Sequence, residues 1–259
     1  MLVRAAGATA LALGLVWLVT AASDEGGISW GERAGRALPL TPVCAAIGAW
    51  AALAPIRRRG ETVAMAALGR SRAQVGAAAV AGAALVALVA AAAVGLMPAV
   101  DATAFFPRAA HASTWVWQGG SFVDLTQGLL VDAGGEPVPL AAKAWTAASI
   151  LPNHGRAAAA VAVAVAGVAL PLLLAHPLLG GVNASASQGG EPDAPAPRGR
   201  GLRHGRSGEL PALLASGGVL AASTVLFQAA AGGRVPALLG AAPPVLLLAF
   251  ALERYRTSP

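Results

Sequence analysis

Apolar positions along this chain are grouped into long blocks separated by short polar segments. Six blocks reach or approach the roughly 20 residues that a helix needs to cross a bilayer core about 30 Å thick. They cover residues 5–22, 38–56, 75–100, 157–179, 210–231 and 235–252. The last block is short and contains Pro243-Pro244. The pattern predicts an all-α polytopic membrane protein with six transmembrane helices.

The composition agrees with a membrane-spanning chain. Apolar residues make up 56% of the 259 positions and charged residues 12%, and the mean hydropathy is +0.66. A soluble domain of ordinary composition is much less apolar. The net charge of +6 comes mainly from arginines between the apolar blocks. We interpret these arginines as topology signals rather than as a nucleic-acid-binding surface.

Arginine bias predicts that both termini face the cytoplasm, because short cytoplasmic loops are enriched in basic residues. The side assigned to the cytoplasm receives Arg4, Arg57, Arg58, Arg59, Arg70, Arg72, Arg198, Arg200, Arg203, Arg206, Arg254 and Arg256. The opposite side receives Arg33, Arg36, Arg108, Lys143, Arg156 and Arg234, together with most of the acids. Residues 1–23 also have the layout of a cleavable signal peptide, which is an alternative interpretation of the first span.

Three regions follow from this topology: spans one to three in 1–100, an outside segment in 101–155, and spans four to six in 156–259. The outside segment contains STWVWQGGSFVDL and GLLVDAGGEPVPL, each typical of a β-hairpin that turns at paired glycines. We expect three or four short strands in a small β-rich insert. The alternative is an irregular loop that Trp115, Trp117 and Trp145 anchor at the interface. Residues 181–208 predict a disordered linker.

Groups able to perform catalysis are scarce in the sequence. His111, His154, His176 and His204 do not share metal-ligand spacing, and Cys44 is the single cysteine. The only lysine, Lys143, lies outside any Gly-rich phosphate loop. The six apolar blocks contain no Asp, Glu, Lys or Arg that would relay protons or sodium ions. We therefore expect a chain that is not an enzyme, holds no cofactor or metal, and is driven by another protein.

The arginine-rich segment RRRGETVAMAALGRSRAQV, at 57–75, predicts a short cytoplasmic helix within a coupling segment at 57–74. Gly60 precedes the helix, Glu61 suits its positive end, and Gly69 is placed to stop it. Ser71 and Gln74 form a capping-box pattern for the next helix. With Val63, Met65, Ala67 and Leu68 as its apolar residues, this short helix can fit a partner's groove. The alternative is that Arg57, Arg58 and Arg59 only anchor the loop to lipid headgroups.

Three segments resemble the lipopolysaccharide export permeases of the LptF/LptG family. GETVAMAALGRS resembles their coupling-helix segment, STWVWQGGSFVDL is similar to a strand pair of their periplasmic jellyroll, and GGRVPALLGAAPPVLLLAF resembles the stretch that joins their last two spans. Six spans with the outside segment after the third also agree with that family. The chain departs from it in the short outside segment and in Ala242, which stands where the family often has Trp.

The resemblance implies a bacterial inner-membrane subunit that pairs with a second permease subunit and with a cytoplasmic ABC ATPase. The pair would pass a lipid toward a periplasmic bridge protein, without nucleic acid or cofactor. The implied ATPase-coupling residues are Arg58, Arg59, Gly60, Glu61, Ala64, Ala67, Gly69 and Ser71. Arg33 or Arg36 would contact lipid phosphate. The alternatives are an FtsX/MacB-like permease, which the coupling segment alone also resembles, and a membrane scaffold that transports nothing.

Overall fold

The structure is a computed structural model that is mostly helical. It describes residues 1–23, 29–106, 115–118, 121–124, 129–131, 135, 137–139, 151–152, 154–179 and 209–257. The helices are α1 (Leu2–Ala22), α2 (Trp30–Ala37), α3 (Thr41–Arg58), α4 (Glu61–Ala67), α5 (Arg72–Leu96), α6 (Gly155–Leu179), α7 (Glu209–Ala231) and α8 (Ala242–Thr257). Three 3₁₀ segments accompany them: η1 (Leu38–Leu40), η2 (Ala102–Phe105) and η3 (Ala237–Ala241).

Six helical segments among these residues are long and apolar enough to cross a membrane, which confirms the predicted number of spans. They are Leu2–Ala22, Trp30–Arg58, Gln74–Leu96, Gly155–Ala175, Ala212–Ala231 and Ala237–Arg256. The chain is therefore a candidate multi-pass membrane protein. All six spans differ from the predicted bounds by at least one residue, and the differences at the second, third and sixth spans involve local features of the sequence.

Each of these differences has a local cause. The second span begins at Trp30 instead of residue 38, because α2 and η1 lead directly into α3. The third ends at Leu96 instead of residue 100, since the residue before Pro98 takes an extended conformation. The sixth accommodates Pro243 and Pro244 in the first turn of α8, where helical N–H groups have no partner within the helix. That helix then continues past residue 252 to Thr257.

Successive spans run in opposite directions, so the bundle has two distinct ends. At one end, which we call the α4 end, Ala5, Leu53, Val75 and Ala175 share a cluster against which Met65 of α4 packs. At the other, the α2 end, Ala34, Val94, Ala158, Ala230 and Ala237 share a second cluster. Trp17 and Trp30 lie beside each other at this end, with ring centroids 6.0 Å apart. The starts of α1, α5 and α7 are therefore at the α4 end.

Small residues allow the spans to approach closely. A Cβ atom at Gly48 of α3 would collide with the Thr9 hydroxyl of α1 and would lie 2.8 Å from the Ala5 carbonyl oxygen. Gly167 of α6 likewise lies against the side chain of Ala87 of α5. Close backbone approach at Gly and Ala is a general way to pack helices in membranes, where burial of apolar surface contributes little between them.

Segment 101–155 contains four short strands in the part that the structure describes: β1 (Trp115–Gln118), β2 (Ser121–Asp124), β3 (Leu129–Val131) and β4 (Pro137–Pro139). They pair antiparallel in chain order, with Gln118 opposite Ser121 and Val131 opposite Pro137. None is longer than four residues, and the chain remains mostly helical. Trp145, the turn glycines at 119, 120 and 134, and the predicted linker 181–208 lie outside the described residues.

The contact between α1 and α3 predicts a large effect of one substitution. Gly48→Leu places a side chain on the backbone of α1, so we expect destabilisation of about 1–3 kcal/mol, as for other overpacked sites. Gly14→Leu is the matched control, because no atom lies within 4 Å of a Cβ at Gly14. Thermal unfolding in detergent, followed by size-exclusion chromatography, measures both. Equal midpoints for the two variants would contradict this packing.

Candidate functional site

The predicted short helix is present as α4, and glycines in a left-handed conformation flank it. Gly60 has φ 69° and Gly69 has φ 77°, conformations that glycine adopts without the strain of a Cβ atom. Gly60 ends α3, and its N–H donates to the Arg57 carbonyl oxygen at 3.1 Å. After α4, the Arg70 N–H donates to the Met65 carbonyl oxygen at 3.0 Å, the long bond of a Schellman cap. The predicted stop at Gly69 is thus confirmed.

The next helix begins with the predicted capping box. The Gln74 N–H donates to Ser71 Oγ at 3.3 Å, and the Ser71 N–H donates to Gln74 Oε1 at 3.1 Å. These two bonds satisfy backbone donors that a helix N-terminus otherwise leaves free. Three residues, Leu68 to Arg70, separate the end of α4 from Ser71. The path from α4 into α5 is therefore short and has defined ends.

One side of α4 packs inward and another is exposed. Met65 contacts the buried cluster of α1, α3, α5 and α6, which Leu172 and Tyr255 also flank. Ala64 and Ala67 are exposed, and the side chain of Leu68 is 81% exposed. Positions three and four apart share a helix face, so these three residues form one exposed apolar face.

Charged residues border this exposed apolar face. Arg58 and Arg59 are exposed, and the Arg59 guanidinium lies 3.7 Å from the Glu61 carboxylate. An exposed pair of this kind contributes little to stability, so both charges are available to a partner. The predicted coupling residues therefore include two residues of this apolar face, Ala64 and Ala67, and the charged residues that border it at the α4 end. The side chain of Val63 lies outside the described part.

Arg33 and Arg36, the two candidates for contact with lipid phosphate, lie on α2. The Ser29 and Glu32 capping box starts this helix, and the pattern Ser-x-x-Glu is visible in the sequence. The buried face of α2 meets the chain around η2, where the Asp101 N–H donates to the Gly31 carbonyl oxygen at 3.1 Å. The two arginines are thus held by a helix that leads directly into α3.

Arg156, which the arginine bias assigned to the side opposite the cytoplasm, caps the end of α5. Its guanidinium donates to the carbonyl oxygens of Val94 at 2.9 Å, Met97 at 2.8 Å and Val100 at 3.0 Å. In an α-helix the Val94 carbonyl would accept from the residue four positions later, but that residue is Pro98, which has no N–H. Arg156 supplies the missing donor and places a cation at the negative end of the helix.

A lateral apolar groove separates α3 from α7, with α6 at its base. Its lower section, toward the α4 end, has a volume of about 510 Å³ and is lined by residues that include Ile47, Trp50, Leu174 and Leu213. Its upper section, about 250 Å³, extends toward the α2 end and includes Phe105, Ser223 and Phe227. Val43 and Leu220 line both sections. The hydrophobic pattern of the sequence did not predict this groove.

No group of three or more His, Cys, Asp or Glu side chains is positioned to hold a metal ion within the described ranges. Cys44 is a free, buried thiol.

Comparison of the chain with protein-family models, with curated proteins and with solved structures found no match in any of the three. The geometry of α4, of the α2 end and of the lateral groove is therefore what bears on function.

The Arg156 cap predicts a stability loss when its donors are removed. Arg156→Ala leaves the Val94 carbonyl without a donor. One hydrogen bond to a charged group contributes about 1.5–3 kcal/mol, so we expect the free energy of unfolding to fall by at least this amount. Arg156→Lys, with a single cationic head, should recover part of it. Arg234→Ala at the same end is the control, since that side chain is exposed. Unfolding midpoints in detergent that match between Arg156→Ala and Arg234→Ala would show that the cap is unimportant.

Proposed function

We propose that this chain is the permease subunit of an ABC transporter in the bacterial inner membrane that exports lipopolysaccharide or a related lipid. The observation that supports this best is α4. It is a short helix between two left-handed glycines, and it carries an exposed apolar face bordered by arginines. The six candidate spans supply the membrane body to which such a helix would transmit force.

The coupling role follows from how α4 is held. Residues Gly60 to Ser71 would receive the movement of a cytoplasmic ABC ATPase, with Ala64, Ala67 and Leu68 buried in a groove of that partner. Arg58, Arg59 and Glu61 would form charged contacts around them. Because Met65 packs against α1, α3, α5 and α6, a displacement of α4 would press directly on four spans. ATP hydrolysis belongs to the partner, since this sequence has no phosphate-binding loop.

The orientation in this proposal places the α4 end, and both termini, in the cytoplasm. Arg4, Arg57, Arg70, Arg254 and Arg256 lie at that end together with Arg58 and Arg59, as the positive-inside rule favours. Segment 101–155 is then periplasmic. Its four short strands would form a reduced β-rich insert that passes lipid to a periplasmic bridge protein, and Arg33 or Arg36 would contact lipid phosphate.

A second permease subunit would complete the transporter. The first span, Leu2–Ala22, has the smallest buried share among the six candidate spans. Its exposed Leu11, Leu15 and Leu18 offer a surface for that subunit. An FtsX/MacB-like permease would also bind an ATPase but would carry no lipid, and a scaffold would bind neither. Lipid analysis and identification of an ATPase in the purified complex separate these three functions.

Cysteine labelling tests the proposed orientation. In a Cys44→Ala background, we expect Ala64→Cys to react with a small membrane-impermeant maleimide only after cells are permeabilised. Arg234→Cys, at the α2 end, should react in intact cells. Both positions are exposed, so accessibility within the protein does not separate them. Labelling of Ala64→Cys in intact cells would place α4 outside the cytoplasm and end the proposed coupling role.

Replacement of the charges around α4 tests ATPase binding. Arg58→Ala, Arg59→Ala and Glu61→Ala combined should leave membrane insertion intact but abolish recovery of an ABC ATPase, identified by mass spectrometry, from the native host. The control combines Arg4→Ala with Arg256→Ala, two exposed arginines at the same end. Undiminished ATPase recovery with the triple variant would exclude α4 as the docking site.

A further inference from the structure

The lateral groove lies within the depth of the candidate spans. Its walls belong to Trp30–Arg58 and Ala212–Ala231, and its base belongs to Gly155–Ala175. The medium around such helices consists of lipid acyl chains. Leu213 at the lower end and Phe227 at the upper end are 14 positions apart on α7, which corresponds to about 21 Å of helix. One leaflet of the hydrocarbon core is about 15 Å deep, so the groove is long enough for one acyl chain and part of its linkage.

The upper section contains a buried hydroxyl that lacks a partner. Ser223 is 7% exposed, and its Oγ has no hydrogen bond to any part of the chain that the structure describes. Two neighbouring hydroxyls on α7 bond within their own helix, Ser216 to the Ala212 carbonyl and Thr224 to the Leu220 carbonyl. A buried hydroxyl without a partner is unfavourable. Ser223 lines the upper section of the groove, so rotation of its side chain presents this unpartnered hydroxyl to a ligand oxygen there.

We propose that this groove binds one acyl chain of a diacyl glycerophospholipid, with an ester oxygen of that lipid accepting a hydrogen bond from the Ser223 hydroxyl. The chain runs down the groove past Leu220 toward Leu213 and Trp50. The glycerol linkage lies in the upper section beside Ser223, so the headgroup points toward the α2 end. This site depends on the spans lying in a bilayer. It does not depend on α4 or on an ATPase.

Photolabelling tests the occupancy of the groove. The protein is placed in nanodiscs of ester-linked phosphatidylethanolamine and phosphatidylglycerol that contain a phosphatidylglycerol with a diazirine in one acyl chain. Cross-links mapped by mass spectrometry should be enriched several-fold at Ile47, Trp50 and Leu213 over Leu85 and Val89, which are exposed on α5. Equal labelling of both sets, or no labelling in the groove because another chain fills it, would overturn the proposal.

Two adjacent leucines provide a matched pair of variants. Leu213 lines the groove and is 55% exposed, whereas Leu214 is 67% exposed and lines neither section of the groove. Leu213→Trp should fill the lower section and reduce labelling at Ile47 several-fold, and Leu214→Trp should leave it unchanged. Because both side chains are largely exposed, we expect neither substitution to disturb the packing of the buried residues. Equal labelling in the two variants would contradict a lipid in the groove.

The hydrogen bond has its own test. Native mass spectrometry compares retention of ester-linked phosphatidylglycerol with retention of its diether analogue, which lacks the carbonyl oxygens. The wild-type chain should prefer the ester by about five-fold, the scale of one neutral hydrogen bond. Ser223→Ala should remove this preference. Ser216→Ala should retain it, because the Ser216 hydroxyl is already bonded within α7. A preference that survives Ser223→Ala, or is absent from the wild type, would refute the role of Ser223.

Discussion

Close backbone contact between helices is the constraint on which this bundle depends. The apolar blocks contain no Asp, Glu, Lys or Arg that would form an ion pair between spans, and lipid removes most of the advantage of burying apolar surface between helices. Dispersion contacts at short range must therefore hold the spans together. Gly48 on Thr9, Gly82 on the Leu2 carbonyl and Gly167 on Ala87 provide them. The same requirement explains why alanine dominates the buried positions of α3, α5 and α6.

The spans differ in how far they meet this requirement. On α7, Gly217 and Gly218 face open space, with no atom within 4 Å of a Cβ, and Leu213, Leu214 and Val225 are exposed. At the α2 end, the Phe227 ring of this helix lies 5.0 Å from that of Phe106 in an edge arrangement. Nearer the α4 end, its Ala212 is buried beside Leu173 and Leu247. The main contacts of α7 are with α6, α8 and η3, so its side toward α3 is left open and borders the lateral groove.

Features that depend on local chemistry were predictable from the sequence. The number of spans follows from block length, and α4 with its flanking glycines and the Ser71 capping box follows from adjacent residues. Helix α2 was missed because Glu32, Arg33 and Arg36 lower the hydropathy of its segment, although Ser29 and Glu32 formed a readable cap. Arg156 was missed for a different reason. Its role depends on Pro98 and on a contact across more than fifty residues of sequence. The groove depends on which helix faces pack together, and the hydrophobic pattern does not contain that information.

Among the described residues, one side chain of α6 flanks both the cluster beneath α4 and the cluster beside the lateral groove. Leu172 of α6 flanks the cluster on which Met65 of α4 packs, and it also flanks the cluster of Leu170, Leu173 and Leu247 beside the groove. Packed side chains transmit displacement only where a neighbouring element has a second arrangement available. The groove leaves open space between α3 and the lower half of α7, so the distance between these two helices can change without a clash. In the coupling role proposed for α4, a push on this helix would reach the groove through α6 and change the distance between the groove walls, while the Arg156 cap and the Phe106 contact hold the α2 end in place.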